Sequence, residues 1–170
     1  DQNLGGYINR MTGRKIELWN GGCHVHARFS EEALLALKEQ YPNAKVLAHP
    51  ECKQTILQHA EVIGSTQALL NYAIANSSLE RPISNSEASH IQYIVATESG
   101  ILHEMQKACP ELEFIALPAE NGACNECEYM RMCTLQNLHD CLLNESNEIV
   151  VDETIAKDAI RPIQRMLEMS

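Results

Sequence analysis

Short apolar runs alternate with longer segments of helical periodicity between residues 30 and 117. Short runs bounded by turn residues predict buried strands, and the longer segments predict helices. The predicted strands cover residues 44–48, 61–63, 91–96 and 113–117, and the predicted helices cover residues 30–40, 53–60, 67–75 and 101–108. This alternation with short connections is typical of an α/β domain built on a parallel sheet with right-handed crossovers.

The pattern changes on either side of this region and once within it. Residues 7–11 predict a short helix, and the alternation of residues 15–19 predicts a strand leading to a Gly21-Gly22 turn. Residues 76–90 are rich in Ser, Asn and Pro and predict a surface loop. The chain becomes helical after residue 124, and residues 155–169 predict a terminal helix.

Polar motifs follow the predicted strands, at the points where helices begin. They are W-N-G-G-C-H-V-H at residues 19–26, H-P-E-C at 49–52, G-S-T at 64–66 and T-E-S-G at 97–100. Ligands of open α/β sheets bind at the carboxyl ends of the strands. The positions of these motifs therefore predict a functional site at that edge.

Composition and charge narrow the class of function. The 170 residues carry a formal charge of −10, and aromatic residues make up 5%. A general role on nucleic acids or membrane surfaces is disfavoured, because both need clustered Lys and Arg. No apolar run approaches the roughly 18 residues of a membrane span. Seven cysteines and seven histidines without a secretory signal favour a reducing cytoplasm, where grouped cysteines serve metals or redox chemistry.

The cysteines form two concentrations. Cys23 stands beside His24 and His26, and this group predicts either a metal or catalytic site or a buried thiol with two polar histidines. If the segment is extended, the side chain of Cys23 points to one side and the side chains of His24 and His26 point to the other. Cys124 and Cys127 can chelate one ion or cluster, or form a redox pair. The remaining cysteines are expected to be buried or structural, and they are Cys52, Cys109, Cys133 and Cys141.

Two further motifs offer acid–base and anion-binding chemistry. His49 and Glu51 provide an imidazole and a carboxylate close together, although a helix cap with a surface histidine is the simpler interpretation. Ser65 and Thr66 precede a helix and offer hydroxyls with free backbone N–H groups, as an anion site or as ordinary caps. Thr97 begins a motif of the same form, and two such turns favour a carboxylate or phosphate ligand.

Taken together, these motifs and D-Q-N-L-G, A-T-E-S-G-I and C-N-E-C-E-Y-M-R-M make the chain resemble the quinolinate synthase family of bacterial NAD biosynthesis. The resemblance implies three homologous α/β domains of three layers around a pseudo-threefold axis. It also implies a transferase of pyridine nucleotide biosynthesis that condenses iminoaspartate with dihydroxyacetone phosphate to quinolinate. The resemblance further implies a four-iron–four-sulfur (4Fe–4S) cluster with three thiolate ligands as the Lewis acid, and L-aspartate oxidase as a possible functional partner.

The resemblance assigns roles to individual residues. Cys23 and Cys127 match cluster ligands, and Cys124 matches an adjacent thiol that can pair with Cys127 under oxidation. Glu51 matches the proton-transfer group, with His26 and His49 polarising substrate. The substrate-binding set expected from the family is His26, His49, Glu51, Ser65, Thr66 and Thr97.

The resemblance also predicts how the chain is divided. Residues 1–22 are expected to end the second α/β domain, residues 23–118 to form the third, and residues 119–170 to form the cluster-ligand loop and closing helices. The first domain and the third cluster cysteine are expected outside this chain, so the 170 residues alone should be inactive. The alternatives are a zinc-binding α/β module and a non-catalytic anion-binding module.

Overall fold

The structure is a computed structural model that describes residues 1–77, 91–120, 122 and 125–169. The chain forms two compact units, residues 1–127 and residues 128–170. The first unit is an α/β domain with a four-stranded parallel sheet, as predicted. The boundaries predicted after residues 22 and 118 from the family resemblance stay a prediction.

The sheet contains all four predicted strands, each slightly shorter than the apolar run that indicated it. They are β1 (Lys45–Ala48), β2 (Val62–Ile63), β3 (Gln92–Ala96) and β4 (Glu113–Ala116), in the order β2-β1-β3-β4. The two central strands are almost wholly buried, which explains why their sequences are continuous apolar runs rather than alternating ones.

Helices cover both faces of this sheet. The elements of the first unit are α1 (Gln2–Thr12), α2 (His24–Ala27), α3 (Glu31–Gln40), α4 (Gln54–Leu57), α5 (Thr66–Ser77) and α6 (Ile101–Ala108). One buried cluster joins Val46 and Ile94 to Leu34 of α3 and Ile56 of α4. On the opposite face, a second cluster is made of residues from β1, β3, α5 and α6, namely Leu47, Tyr93, Val95, Leu69 and Met105. The domain therefore has three layers.

The amino-terminal segment differs from its prediction. Residues 15–19 are exposed and irregular, so the predicted strand is wrong. Among the residues described, no strand lies beside this segment; instead, the Asn9 carboxamide of α1 accepts from the Ile16 N–H at 2.8 Å and donates to the Ile16 carbonyl at 3.2 Å. The loop predicted at residues 76–90 is also altered, because Asn76 and Ser77 continue α5, and residues 78–90 lie outside the described residues.

The second unit is helical, as predicted for this end of the chain. It contains α7 (Glu128–Arg131), α8 (Leu135–Asn144) and α9 (Glu153–Met169). None of the described residues in these helices is buried. The expected burial of Cys133 is wrong, because it lies in the exposed connection between α7 and α8, and Cys141 of α8 is only half-buried. No helix in the described parts of the chain has the length and apolar character to cross a membrane.

Candidate active site

Cys23 and His26 lie on one turn of helix rather than on an extended segment. Residues 24–27 form α2, and the Ala27 N–H donates to the Cys23 carbonyl at 2.9 Å. Residues three apart in a helix share a face, so the predicted separation of Cys23 from His26 is wrong. One ligand atom each from Cys23, His26 and Glu51 lies within 4.8 Å of the other two. The helical turn thus brings a thiol, an imidazole and a carboxylate together.

The sheet supplies the opposite wall of this group. His49 follows β1 and Thr97 follows β3, and these strands are neighbours with Ala48 paired to Ala96. The His49 N–H donates to the Ala96 carbonyl at 3.1 Å, which extends the ladder by one step. His49 and Thr97 therefore stand side by side at the carboxyl edge, where the sequence predicted a site.

Glu51 folds back toward the histidines because Pro50 and the turn at residues 49–52 reverse the chain. Its backbone N–H donates to His49 Nδ1 at 3.3 Å, and its Oε2 lies 3.7 Å from the same nitrogen. The same oxygen lies 3.1 Å from His26 Nδ1. The Glu51 carboxylate is about one quarter exposed, so one group faces both imidazoles and solvent.

His26 is the more enclosed of the two histidines beside Glu51, with 6% of its surface exposed. Its ring stacks on the His49 ring, with centroids 4.5 Å apart, and its Nε2 lies 3.1 Å from Thr97 Oγ1. A carboxylate 3.1 Å from Nδ1 favours a proton on that nitrogen, so Nε2 accepts from the Thr97 hydroxyl. Although Nδ1 is close to Glu51, it is not aligned for a hydrogen bond and has no such partner among the described residues.

Burial keeps both imidazoles neutral. Burial, together with smaller contributions from the neighbouring His49 and His24, lowers the pKa of His26 to about 4. Burial also lowers the pKa of His49, although the Glu51 carboxylate opposes this shift. Near neutral pH each ring therefore keeps one N–H donor and one lone pair, which is the state needed to ligate a metal or to bind a substrate oxygen.

Cys52 lies close to this group but is chemically different from Cys23. Its thiol is 1% exposed and donates to the Ala96 carbonyl at 3.3 Å. Burial raises the pKa of Cys52 to about 12. A thiol that is not deprotonated at neutral pH is a poor nucleophile and a poor metal ligand. These features agree with the structural role expected for Cys52.

The G-S-T turn shares the sheet edge with His49. The Gly64 N–H donates to the Ala48 carbonyl at 3.1 Å, which brings the end of β2 beside the end of β1. The Ser65 hydroxyl accepts from the Ala68 N–H at 3.2 Å and thereby caps the first turn of α5. Ser65 thus acts as a cap here. Ser65 is exposed and Thr66 is partly exposed, so both side chains are accessible at the start of α5.

Two residues that the sequence did not single out hold the Cys127 segment. Glu98 accepts from the Cys127 N–H at 3.2 Å through one oxygen and from the Gly100 N–H at 2.8 Å through the other. Asn125, 1% exposed, donates from Nδ2 to the Val25 carbonyl at 2.8 Å. Glu98 belongs to the T-E-S-G motif after β3, so its position in the sequence could have indicated a role in the site. Asn125 lies between two cysteines, and nothing in the sequence indicated its role.

The thiol of Cys127 is half-buried and is not part of the group formed by Cys23, His26 and Glu51 within the described residues. Cys124, expected as its redox partner, lies outside the described residues. The donor chemistry fits an iron–sulfur cluster in one respect. Two partly exposed thiols, Cys23 and Cys127, are carried by segments that the Asn125–Val25 hydrogen bond joins.

Comparison with known proteins gives a consistent result. The chain matches the family model described as quinolinate synthetase A protein over residues 1–168. It is 47% identical over 172 residues to a quinolinate synthase of Chloroherpeton thalassium. It is 48% identical over 171 residues to that of Microcystis aeruginosa and 50% identical over 171 residues to that of Rippkaea orientalis. All of this chain is covered in each case, and it spans about half the length of these curated relatives.

Proposed function

The chain belongs to the quinolinate synthetase A family, and we propose that it forms one half of a quinolinate synthase in NAD biosynthesis. The observation that carries this proposal is the joint approach of His26 and His49 to one Glu51 oxygen, at 3.1 Å and 3.7 Å. Of the two rings, His26 faces the carboxylate with its Nδ1 proton, whereas His49 Nδ1 accepts from the Glu51 backbone N–H. The carboxylate is thereby held between them and can take and return a substrate proton. The proposed reaction needs several such transfers.

The proposed substrates are iminoaspartate and dihydroxyacetone phosphate. Their condensation forms one carbon–carbon and one carbon–nitrogen bond and releases phosphate and two molecules of water. No electrons are gained or lost overall, so the protein must supply proton transfers and charge stabilisation. A carboxylate between two imidazoles provides the proton transfers, and hydroxyl or backbone donors provide the charge stabilisation.

Glu51 is proposed as the proton-transfer group. Its carboxylate is partly exposed and therefore reaches an incoming substrate, while its backbone N–H is fixed on His49 Nδ1 at 3.3 Å. A carboxylate that is anchored through its main chain keeps its side chain available for the reaction. His49 then orients the substrate oxygen beside it, and the two residues act as one unit.

His26 is proposed to polarise the substrate from the buried side. The Thr97 hydroxyl, itself 2% exposed, holds the ring through Nε2 at 3.1 Å. This leaves the Nδ1 proton for Glu51 or a substrate oxygen. Thr97 is thus a positioning residue in this proposal, and Ser65 and Thr66 are proposed to bind a carboxylate or phosphate of the substrates at the start of α5.

Cys23 and Cys127 are proposed to hold a 4Fe–4S cluster, with a third thiolate from the portion of the relatives' length that this chain does not include. When bound, the cluster supplies an open iron that acts as a Lewis acid toward substrate oxygen or nitrogen. Cys23 suits this role because its thiol is partly exposed at the start of α2, on the turn that also carries His26. The enzyme belongs to the transferases, and the 170-residue chain alone is expected to be inactive.

Glu51→Gln in the full-length enzyme tests the catalytic part of the proposal. We expect quinolinate formation to fall by about a hundredfold or more, while iron per chain stays at the wild-type level. Glu32→Gln, on the exposed first turn of α3, is the matched control and should leave both quantities unchanged. Unchanged turnover of Glu51→Gln would remove Glu51 from the mechanism.

A zinc site is the second candidate, and it rests on the proximity of Cys23, His26 and Glu51 within 4.8 Å. Thiolate, imidazole and carboxylate are the usual ligands of Zn²⁺. Anaerobic reconstitution of the full-length enzyme with iron and sulfide, in parallel with zinc, separates the two candidates. Stoichiometric zinc with no iron–sulfur absorption favours the zinc site, whereas an iron–sulfur band that disappears in Cys127→Ser favours the cluster.

A further inference from the structure

The segment that carries Cys127 is attached to the α2 turn by a short backbone bridge and by side-chain hydrogen bonds. It begins with an isolated antiparallel bridge between Ala119 and Phe29, and the Glu120 N–H donates to the Arg28 carbonyl at 2.9 Å. Lys53 reinforces this start, because its ammonium donates to Glu120 at 3.0 Å and to the Phe29 carbonyl at 3.3 Å. The loop that leaves β4 is therefore fixed beside the exit of α2.

Asn125 makes a second attachment farther along the same loop. Its carboxamide nitrogen reaches the carbonyl of Val25, the residue between His24 and His26, at 2.8 Å. The backbone carbonyl of Asn125 accepts from the Ser99 N–H at 3.2 Å. The residue thus connects three segments: the Cys127 loop, the turn that carries Cys23, and the turn after β3.

The burial of Asn125 indicates a specific role for its carboxamide. The side chain is 1% exposed, and its Oδ1 is buried without a hydrogen-bond partner in the part of the chain that is described. A buried unpaired acceptor is unfavourable, and an apolar residue of the same shape would avoid it. Reversing the amide would set Oδ1 against the Val25 carbonyl, so the observed orientation is the one that makes a bond. The hydrogen bond from Asn125 Nδ2 to the Val25 carbonyl opposes the free-energy cost of burying the unpaired Oδ1.

Glu98 makes the third attachment, directly on Cys127. One carboxylate oxygen accepts from the Cys127 N–H at 3.2 Å, and the other accepts from the Gly100 N–H at 2.8 Å. Glu98 is itself held by the turn between β3 and α6, so the position of the Cys127 backbone is set by the sheet. Outer residues that orient metal ligands often change metal affinity by about ten- to hundredfold when replaced.

We propose that Asn125, assisted by Glu98, is a positioning residue that holds Cys127 in register with the Cys23 turn before any cluster is inserted. The proposal rests on the proposed function, in that Cys23 and Cys127 are taken as cluster ligands. It adds that the two cysteine segments are already joined in the metal-free protein. The Asn125–Val25 bond is the link between them.

Asn125→Leu is the main test, because leucine has nearly the same shape and removes both the bond and the unpaired oxygen. In the metal-free chain, we expect hydrogen–deuterium exchange at the Cys127 amide to become about tenfold faster, the change expected for the loss of one hydrogen bond. In the reconstituted full-length enzyme, we expect iron to be lost to a chelator about ten- to hundredfold faster. Asn76→Leu is the matched control, since Asn76 makes the same type of bond, to the Tyr72 carbonyl at 2.7 Å in α5. It should change neither quantity.

Two measurements keep the proposal testable if Asn125→Leu does not fold. Glu98→Gln removes one of the two acceptors and should likewise speed exchange at the Cys127 amide. In the unmodified metal-free chain, the Cys127 amide should exchange far more slowly than the same residue in an unstructured peptide. Free exchange there would overturn the proposal, as would wild-type iron retention in a folded Asn125→Leu protein. If the wild-type enzyme itself binds no iron, the cluster assignment fails instead, and the exchange result in the metal-free chain is judged separately.

Discussion

The ring of His26 lies nearly parallel to the ring of His49, with centroids 4.5 Å apart and planes inclined by 19°. Two stacked imidazole rings repel each other when both are doubly protonated and therefore positively charged. The Glu51 carboxylate approaches both rings and can compensate for one positive charge. Burial lowers the pKa of both rings, so near neutral pH the stacked pair stays uncharged beside the Glu51 carboxylate.

The first prediction concerns pH. The pKa of His26 is about 4 in the folded chain and 6.5 as the unperturbed value, so between these values the unfolded chain binds more protons. The free energy of unfolding should then fall as the pH decreases through this range. Urea unfolding of the metal-free chain at about pH 7 and about pH 4.5 measures the loss, which is on the order of 1–3 kcal/mol for this residue. His26→Gln should lose less stability over the same interval; equal losses would contradict the assignment.

The second prediction concerns the hydroxyl that holds His26. Thr97→Val keeps the shape of a 2% exposed side chain but removes the hydrogen bond to Nε2, leaving a buried nitrogen without its partner. We expect a loss of about 1–3 kcal/mol in the free energy of unfolding and a reduced kcat in the full-length enzyme. Thr97→Ser retains the hydroxyl and should keep more of the activity. If the two variants had equal kcat, the hydrogen bond would have no catalytic part.

The third prediction compares two thiols. Burial raises the pKa of Cys52 to about 12, and Cys133 is exposed. Alkylation of the folded metal-free chain, followed by peptide mass spectrometry, should label Cys133 rapidly and Cys52 only after unfolding. Cys133 serves as the internal control for reagent activity. Labelling of Cys52 at a comparable rate in the folded state would show that its thiol is accessible.

The fourth prediction tests the core with two adjacent leucines of α3. Leu34 is fully buried against the sheet, whereas Leu35 is 43% exposed. Leu34→Ala should lower the free energy of unfolding by about 2–5 kcal/mol because it leaves a cavity. Leu35→Ala should cost less than about 1 kcal/mol, and denaturant unfolding of both variants measures the difference. Similar losses would mean that α3 is rotated from the orientation observed.

The sequence was most informative where local pattern determines structure. The apolar runs of β1 and β3 predicted central strands, and α6 occupies the same residues that its periodicity indicated. The polar motifs after β1 and β3 predicted that His49 and Thr97 would share an edge. These predictions succeeded because burial on both faces leaves a strong signal in consecutive residues.

Contacts between distant segments left no comparable signal. The Asn125–Val25 bond spans one hundred residues, and nothing in C-N-E-C indicates which carbonyl its amide will reach. The helical turn of α2 was also missed, since four residues are too few to display a period. The strand predicted at residues 15–19 failed because strand formation depends on a neighbouring strand, which is a property of the assembled fold and not of the segment.

The span of the Asn125–Val25 bond also orders the events of folding. Closing a loop of one hundred residues has an entropic cost that a single hydrogen bond cannot offset. The bond can therefore persist only after the intervening parallel strands have assembled and shortened the effective loop. We therefore expect the Cys127 segment to take its place after the sheet has formed, so a partly unfolded chain keeps the thiols of Cys23 and Cys127 apart.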